Sequence, residues 1–229
     1  IEPIFEHEFL PMSYGFRPGR GCKDALRDVD DALKAGMTWV VDADLQGYFD
    51  SIPHDRLMAR VEERISDGRL LALLRSWLSQ DIVSDMSRWT PTSGTPQGAI
   101  ISPLLANVYL HPLDQEVTQH GYRMVRYADD FVVLCKRESQ ATEVMRRLRE
   151  IFAQLKLTLH PEKTKLVQIG LGKDGFDFLG CHLQIVKSHF KGRTYLFRWP
   201  SVKSMKKVRS RIRELTDRRR RAGLKDVDE

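Results

Sequence analysis

Two pairs of carboxylates stand out for chemistry. In Trp39-Val40-Val41-Asp42-Ala43-Asp44-Leu45, apolar and acidic residues alternate. Side chains of an extended strand alternate between faces, so Asp42 and Asp44 share one face while Val41, Ala43 and Leu45 take the other. A second pair, Asp129-Asp130, separates two short apolar runs at 124–127 and 131–136, the pattern of a hairpin with acids at its turn. Either pair alone fits a solvated turn or strand edge. Together they offer hard oxygen ligands from two β elements, which suits Mg²⁺, an ion that prefers carboxylates, waters and substrate phosphates to an all-protein cage. Two such ions about 3.5–4 Å apart activate an attacking hydroxyl and stabilise the leaving oxygen of an in-line phosphoryl transfer. That is polymerase or nuclease chemistry.

The elements that must position these acids follow from periodicity. Cys22, Ala25, Leu26, Val29 and Leu33 mark an amphipathic helix ending near Gly36, and a strand rich in β-branched residues follows over 38–45. Residues 55–79 predict helix interrupted at Asp67-Gly68, and 103–117 another helix with Pro103 in its first turn. Val144, Leu148, Ile151, Phe152 and Leu155 give a helix over 140–157, and 165–169, 176–179, 183–187 and 194–197 are predicted strands. Without strict βαβ alternation, the expectation is an α+β domain with helices on one face of an antiparallel sheet.

The 229 residues, 41% hydrophobic and 30% charged, suffice for one large or two small domains with a buried core and disfavour disorder. The longest apolar stretch, 99–110, is broken by Ser102, Pro103 and Asn107, short of the ~20 residues a spanning helix needs, so no membrane association is expected. The first residues, Ile-Glu-Pro-Ile, have neither an initiator Met nor a signal-peptide layout, and an excised or incomplete chain is expected. Cys22, Cys135 and Cys181 are expected to be reduced, buried thiols of a cytoplasmic protein. Cys181-His182 with His189 lacks the paired spacing of a zinc site. Net charge is +6, and residues 201–229 hold 11 Lys and Arg against 5 Asp and Glu, leaving 26 of each sign before them. There Ser201 is a candidate N-cap; Val202, Met205, Val208, Ile212 and Leu215 recur at helical spacing as a packing face, and Lys203, Lys206, Lys207, Arg209, Arg211 and Arg213 surround it. Such a basic helix suits a phosphate backbone.

Six blocks in order resemble the reverse transcriptases encoded by bacterial group II introns, the intron maturases. They are Tyr14-Gly15-Phe16-Arg17-Pro18-Gly19-Arg20, Asp44-Leu45-Gln46-Gly47-Tyr48-Phe49-Asp50, Thr95-Pro96-Gln97-Gly98 continuing through Ser102-Pro103-Leu104-Leu105-Ala106-Asn107, Tyr127-Ala128-Asp129-Asp130, Leu159-His160-Pro161-Glu162-Lys163-Thr164-Lys165, and Phe176-Asp177-Phe178-Leu179-Gly180. The resemblance implies a right-handed polymerase palm with partial fingers over 1–200 and, over 201–229, a basic helix resembling the start of the thumb. It implies that Asp44, Asp129 and Asp130 hold two Mg²⁺, with Leu45 adding a backbone carbonyl. Asp42 is left as a neighbour that tunes the field. In the family block the catalytic acid stands five residues before an aromatic, as Asp44 does before Phe49; without that spacing the sequence does not choose between Asp42 and Asp44.

The same resemblance places Phe49 under the incoming sugar, where a ring excludes a 2′-hydroxyl, and puts Gln97 and Gly98 beside the nucleotide. Lys163 resembles the lysine that in polymerases protonates departing pyrophosphate, with Lys165 a near alternative. Arg17 and Arg20 precede a helix and are expected either to hold phosphate there or to bridge surface acids. The implied activity is RNA-directed DNA synthesis, adding dNTPs to a primer on an RNA template, with intron RNA as a further partner. The alternatives are an RNA-binding splicing cofactor and a reverse transcriptase of a diversity-generating or CRISPR-linked system. With fingers and thumb incomplete, weak or no extension is expected of residues 1–229 alone, and the oligomeric state is left open.

Overall fold

In the computed structural model, which describes residues 1–80, 82–84, 87–89, 93–95, 99–188 and 193–216, the chain opens with α1 (Glu2–Glu6), α2 (Cys22–Lys34), β1 (Trp39–Ala43), α3 (Tyr48–Ser51), α4 (His54–Glu62) and α5 (Gly68–Leu78). A short hairpin follows, β2 (Ile82–Ser84) and β3 (Ser87–Trp89), then α6 (Ser102–Gln119), β4 (Arg123–Tyr127), β5 (Asp130–Cys135) and α7 (Glu138–Gln154). Strands β6 (Lys165–Gln168), β7 (Phe176–Phe178), β8 (Cys181–Lys187) and β9 (Thr194–Pro200) lead to the final helix, α8 (Val202–Leu215).

The alternation that places Asp42 and Asp44 on one face also splits the apolar residues between two cores. Strands β4-β5-β1-β6 form one antiparallel sheet in that order, with Asp42 opposite Val132 on β5 and Lys165 on β6. Val41, Ala43, Met124, Phe131 and Val133 are buried on one face against Leu57 of α4, Leu105 and Leu110 of α6, and Val144 and Leu148 of α7. Val40, Val125, Val132 and Leu134 are buried on the other against Ala25, Leu26, Val29 and Leu33 of α2 and against Phe176, Phe178 and Leu183 of the smaller β7-β8-β9 sheet. Burial of each such side chain contributes about 1.5–3 kcal/mol, so both faces must be covered for the sheet to persist.

The expectation of helices on one face therefore needs correction: α2 and a second sheet cover the face opposite α4, α6 and α7. That second cover stops short. At its open end the apolar row gives way to Asp42, Asp130, Tyr127 and Lys165, the only surroundings in which several acids on one sheet face keep contact with water.

Local chemistry accounts for the helix boundaries. Asp67 interrupts the helical run by capping α5, its carboxylate accepting from the N–H groups of Arg69 and Leu70. Ser201 caps α8 as expected, accepting from the Ser204 N–H. The apolar face of α8 packs only at Met205, which is half-buried: no residue of the helix is fully buried, and Val202, Val208, Ile212 and Leu215 are exposed. Cys22 is likewise exposed at the start of α2, contrary to the expected burial, while Cys135 is buried and all three cysteines are free. Among the described residues, no helix is long and apolar enough to cross a membrane.

Candidate active site

The β1–β5 register carries the candidate carboxylates to one end of the sheet. Ala43 pairs with Phe131, so the next step along both strands brings Asp44 opposite Asp130. The main chain of Asp44 is pinned from a third segment: the His160 N–H donates to the Asp44 carbonyl at 2.8 Å and the Gln46 N–H to the Thr158 carbonyl at 2.9 Å, forming the bridge between Leu45 and Leu159. That bridge uses the groups of Asp44 and Gln46 rather than those of Leu45, whose side chain is buried in the core. Asp129 lies in the two-residue turn between Tyr127 and Asp130, after Ala128 at φ +58°.

The acids feel one another. Burial and then Asp129 and Asp44 push the Asp130 carboxyl up to about 6, with Lys203 and Lys163 opposing. Asp129 is also raised, by burial and by Asp44, against its own backbone hydrogen bond and the charges of Arg126 and Lys163. Asp42 is pushed up to about 7 by burial and Asp130, with Asp44 and Asp177 adding and Lys165 opposing. Lys163 reaches into this field, its Nζ donating to Asp44 Oδ2 at 2.8 Å. Asp44, Asp129 and Asp130 thus share one electrostatic site with Lys163, and Asp42 borders it. Among the described residues, no group of three or more His, Cys, Asp or Glu side chains is drawn together closely enough to hold a metal ion.

A row of aromatic rings borders the acids. Phe49 is half-buried at the edge of the main core, and its ring meets those of Tyr48 at 5.4 Å and Phe16 at 6.4 Å. Phe16, at φ +57°, also faces Tyr127 at 6.3 Å, so it links the first block to the acid hairpin. Gly94 lies over α3, where a Cβ would stand 3.0 Å from Phe49 O and from Asp50 Cα, and the Thr95 N–H donates to the Phe49 carbonyl at 2.7 Å. Gln97 and Gly98 lie outside the described residues.

Arg17 takes the second of its two expected roles. It is buried, pairs with Glu6 through Nε and Nη2, and donates to the carbonyls of Leu10, Ser13 and Phe9. All its N–H groups are engaged, so it bridges an acid and the main chain and is not available for phosphate. Arg20 is on the surface, with Nη1 on the Pro11 carbonyl and its guanidinium over the Tyr14 ring.

Sequence reasoning passed over Arg126. It is fully buried between Asp114 and Asn107, immediately beneath the acid turn. The signal was present: a cation in the inward register of β4, alternating with Val125, has no place in an apolar core unless it is paired.

Comparison with known proteins agrees with this architecture. Residues 1–183 match the family model described as reverse transcriptase (RNA-dependent DNA polymerase). The group II intron-encoded protein LtrA of Lactococcus lactis is 33% identical over 73% of this chain and 27% of its own length. Protein YkfC of Escherichia coli is 32% identical over 83% of this chain and 59% of its own. The chain thus spans less than two thirds of these relatives. Among solved structures, telomerase from Candida albicans superposes with a TM-score of 0.61 at 15% identity, covering 76% of this chain and 33% of that one, a likeness of fold. With the family model running from the first residue through the four-stranded sheet and the acid hairpin and into β8, the chain belongs to the reverse transcriptase family and is similar to group II intron-encoded proteins.

Proposed function

We propose that this chain carries the palm of an RNA-directed DNA polymerase that extends a primer 3′-hydroxyl with dNTPs on an RNA template. The observation that carries this reading is the gathering of Asp44, Asp129 and Asp130 with Lys163 at the one end of the sheet where the second face lies open. In donor chemistry the site suits divalent cations, since carboxylate oxygens are the hard ligands such ions take, although among the described residues the carboxylates do not close on a common point. Burial and the neighbouring acids raise the proton affinity of Asp129 and Asp130 against the charge of Lys163, and His160 Nδ1 and Thr164 Oγ1 are buried without partners. Asp44, Asp129 and Asp130 would hold two Mg²⁺, which when bound supply activation of the primer hydroxyl and stabilisation of the leaving oxygen.

The remaining roles belong to side chains of the protein. Lys163 holds a proton at Nζ, its affinity raised chiefly by the hydrogen bond to Asp44, and in this reading delivers it to departing pyrophosphate. Phe49, held by Tyr48 and Phe16, walls the sugar site against a 2′-hydroxyl. Arg20, Leu45, Gln97 and Gly98 complete the nucleotide site in this reading.

The test is primer extension on an RNA template by this chain within its natural flanking sequence, with and without Asp129→Ala. Loss of synthesis in the variant is expected, and equal synthesis by both rejects the assignment. The likeness to a group II intron-encoded protein favours a second role, binding of intron RNA in splicing. Splicing retained by Asp129→Ala while synthesis is lost would separate the two.

A further inference from the structure

Arg126 is 0% exposed, and its guanidinium is engaged on both sides. Nε and Nη2 donate to Asp114 Oδ1 and Oδ2 at 2.7 and 2.5 Å, a bidentate pair, and Nη1 donates to Asn107 Oδ1 and to the Ala128 carbonyl, both at 2.9 Å. Asn107 in turn donates through Nδ2 to the Gly15 carbonyl at 2.8 Å. The main chain repeats the connection: the Arg126 N–H donates to the Met12 carbonyl at 2.9 Å, and the Tyr14 N–H to the Arg126 carbonyl at 2.8 Å. Gly15 is pressed so closely on the acid turn that a Cβ there would stand 2.2 Å from the Ala128 nitrogen.

Stability is a poor reason for this arrangement. A buried ion pair is on average no more stabilising than apolar side chains of equal volume, so its retention points to geometry. The geometry at stake is the turn. Ala128 has φ +58°, a conformation unfavourable for an L-residue that persists only where the surroundings over-determine it. Here the Nη1 bond to the Ala128 carbonyl and the Gly15 backbone do so from two sides, and the next residue is Asp129.

We propose that Arg126, oriented by Asp114 and Asn107, is a positioning residue that fixes the Ala128 carbonyl and thereby sets the placement of Asp129 for nucleotidyl transfer. The inference rests on the polymerase reading above. Because Asp129 acts on the reacting phosphate and not on nucleotide selection, loss of the brace should lower the rate at saturation and leave nucleotide affinity intact.

The experiment is single-turnover primer extension with the chain in its natural flanking sequence, at saturating template–primer and varied dNTP, for wild type, Arg126→Lys, Asn107→Leu and Asp129→Ala. Amide hydrogen exchange is followed in the same proteins. In Arg126→Lys and Asn107→Leu, the saturating rate should fall by at least about 10-fold, since a misplacement near 1 Å can cost about 100-fold, while the half-saturating dNTP concentration stays within about 3-fold. Exchange should quicken at 127–131 and not at 39–43. A folded variant with the wild-type rate, a loss of dNTP affinity in place of rate, or exchange quickened equally through the sheet overturns the proposal. If Arg126→Lys does not fold, Asn107→Leu decides, because it keeps the Arg126–Asp114 pair; if that variant also fails to fold, the network is structural and the proposal falls. Undiminished synthesis in Asp129→Ala rejects the polymerase reading itself, whereas synthesis lost there but normal in the two brace variants rejects only the positioning role.

Discussion

At the scale of single residues, Asp42 shows how burial and charge divide the labour of neighbouring acids. Its carboxyl is pushed from 3.8 to about 7, by burial and then by Asp130, because it lies one step further under the cover of the second face than Asp44 does. A folded-state value above the unfolded one means that the native protein binds the extra proton. Asp42 therefore favours the fold fully below about pH 4, and that contribution is lost as pH rises through about 7. Without divalent cations, Asp42→Asn should then stabilise the protein at pH 8 by on the order of 2 kcal/mol, after discounting for solvent screening, and change little near pH 4. Urea denaturation with chelator at the two pH values checks this; an equal effect at both would remove the charge argument. Phe49 makes a second residue-scale case. If its ring is the wall against a 2′-hydroxyl, Phe49→Val should raise use of rNTP relative to dNTP by about 10-fold or more, each factor of ten being about 1.4 kcal/mol of discrimination. A folded variant with unchanged sugar preference would return Phe49 to the role of a packing residue against Tyr48 and Phe16.

At the scale of elements, what the sequence made legible was whatever periodicity controls. The helix at Cys22–Lys34, the strand at Trp39–Ala43 and the hairpin around Asp129 follow from apolar spacing that each element must bury. Helices α1 and α3 and the β2–β3 hairpin are too short to establish a period. The apolar stripe of α8 was read correctly as a stripe, but periodicity marks a face able to pack without saying that a partner is present. Arg126 escaped for a related reason: its burial depends on Asp114 and Asn107 from a different element, and pairing across elements leaves no local pattern. The same cross-element contact makes Gly15 indispensable. Its substitution by Ala would place a Cβ 2.2 Å from the Ala128 nitrogen, backbone against backbone, with no flexible side chain to give way. Gly15→Ala should therefore cost about 1–3 kcal/mol of stability, the usual range for forced overpacking. Thermal or urea melts that match wild type would show the loop to be less firmly docked on the hairpin than its hydrogen bonds imply.

Charge is distributed unevenly over the whole molecule, and the fold turns that into a division between a balanced body and a basic appendage. Residues 1–200 carry equal numbers of acidic and basic side chains, and the excess lies beyond them. Helix α8 begins that segment and is tied to the body at its first turn, where the Ser201 N–H and the Ser204 hydroxyl both donate to the Gly180 carbonyl at 2.9 Å. No residue of the helix is fully buried and only Ser204 and Met205 are half-buried, so its removal exposes little apolar surface, whereas Lys203, Lys206, Lys207, Arg209 and Arg213 are lost to any phosphate backbone nearby. Ending the chain after Ser201 should therefore leave the unfolding free energy within about 0.5 kcal/mol of the longer form, the range of changes away from buried contacts. Binding to an RNA–DNA duplex should weaken by about 10-fold or more near 0.1 M salt, and the slope of log affinity against log salt should fall by about 3 if some three phosphate contacts are removed. Lys203 gives the effect a direction: its charge already bears on Asp130, so the basic helix starts beside the acids and a duplex lying along it would have one end at the site. Equal affinities and equal salt slopes for the two forms would mean that the balanced body holds the duplex unaided, through contacts local to the sheet end and not through the field of the helix.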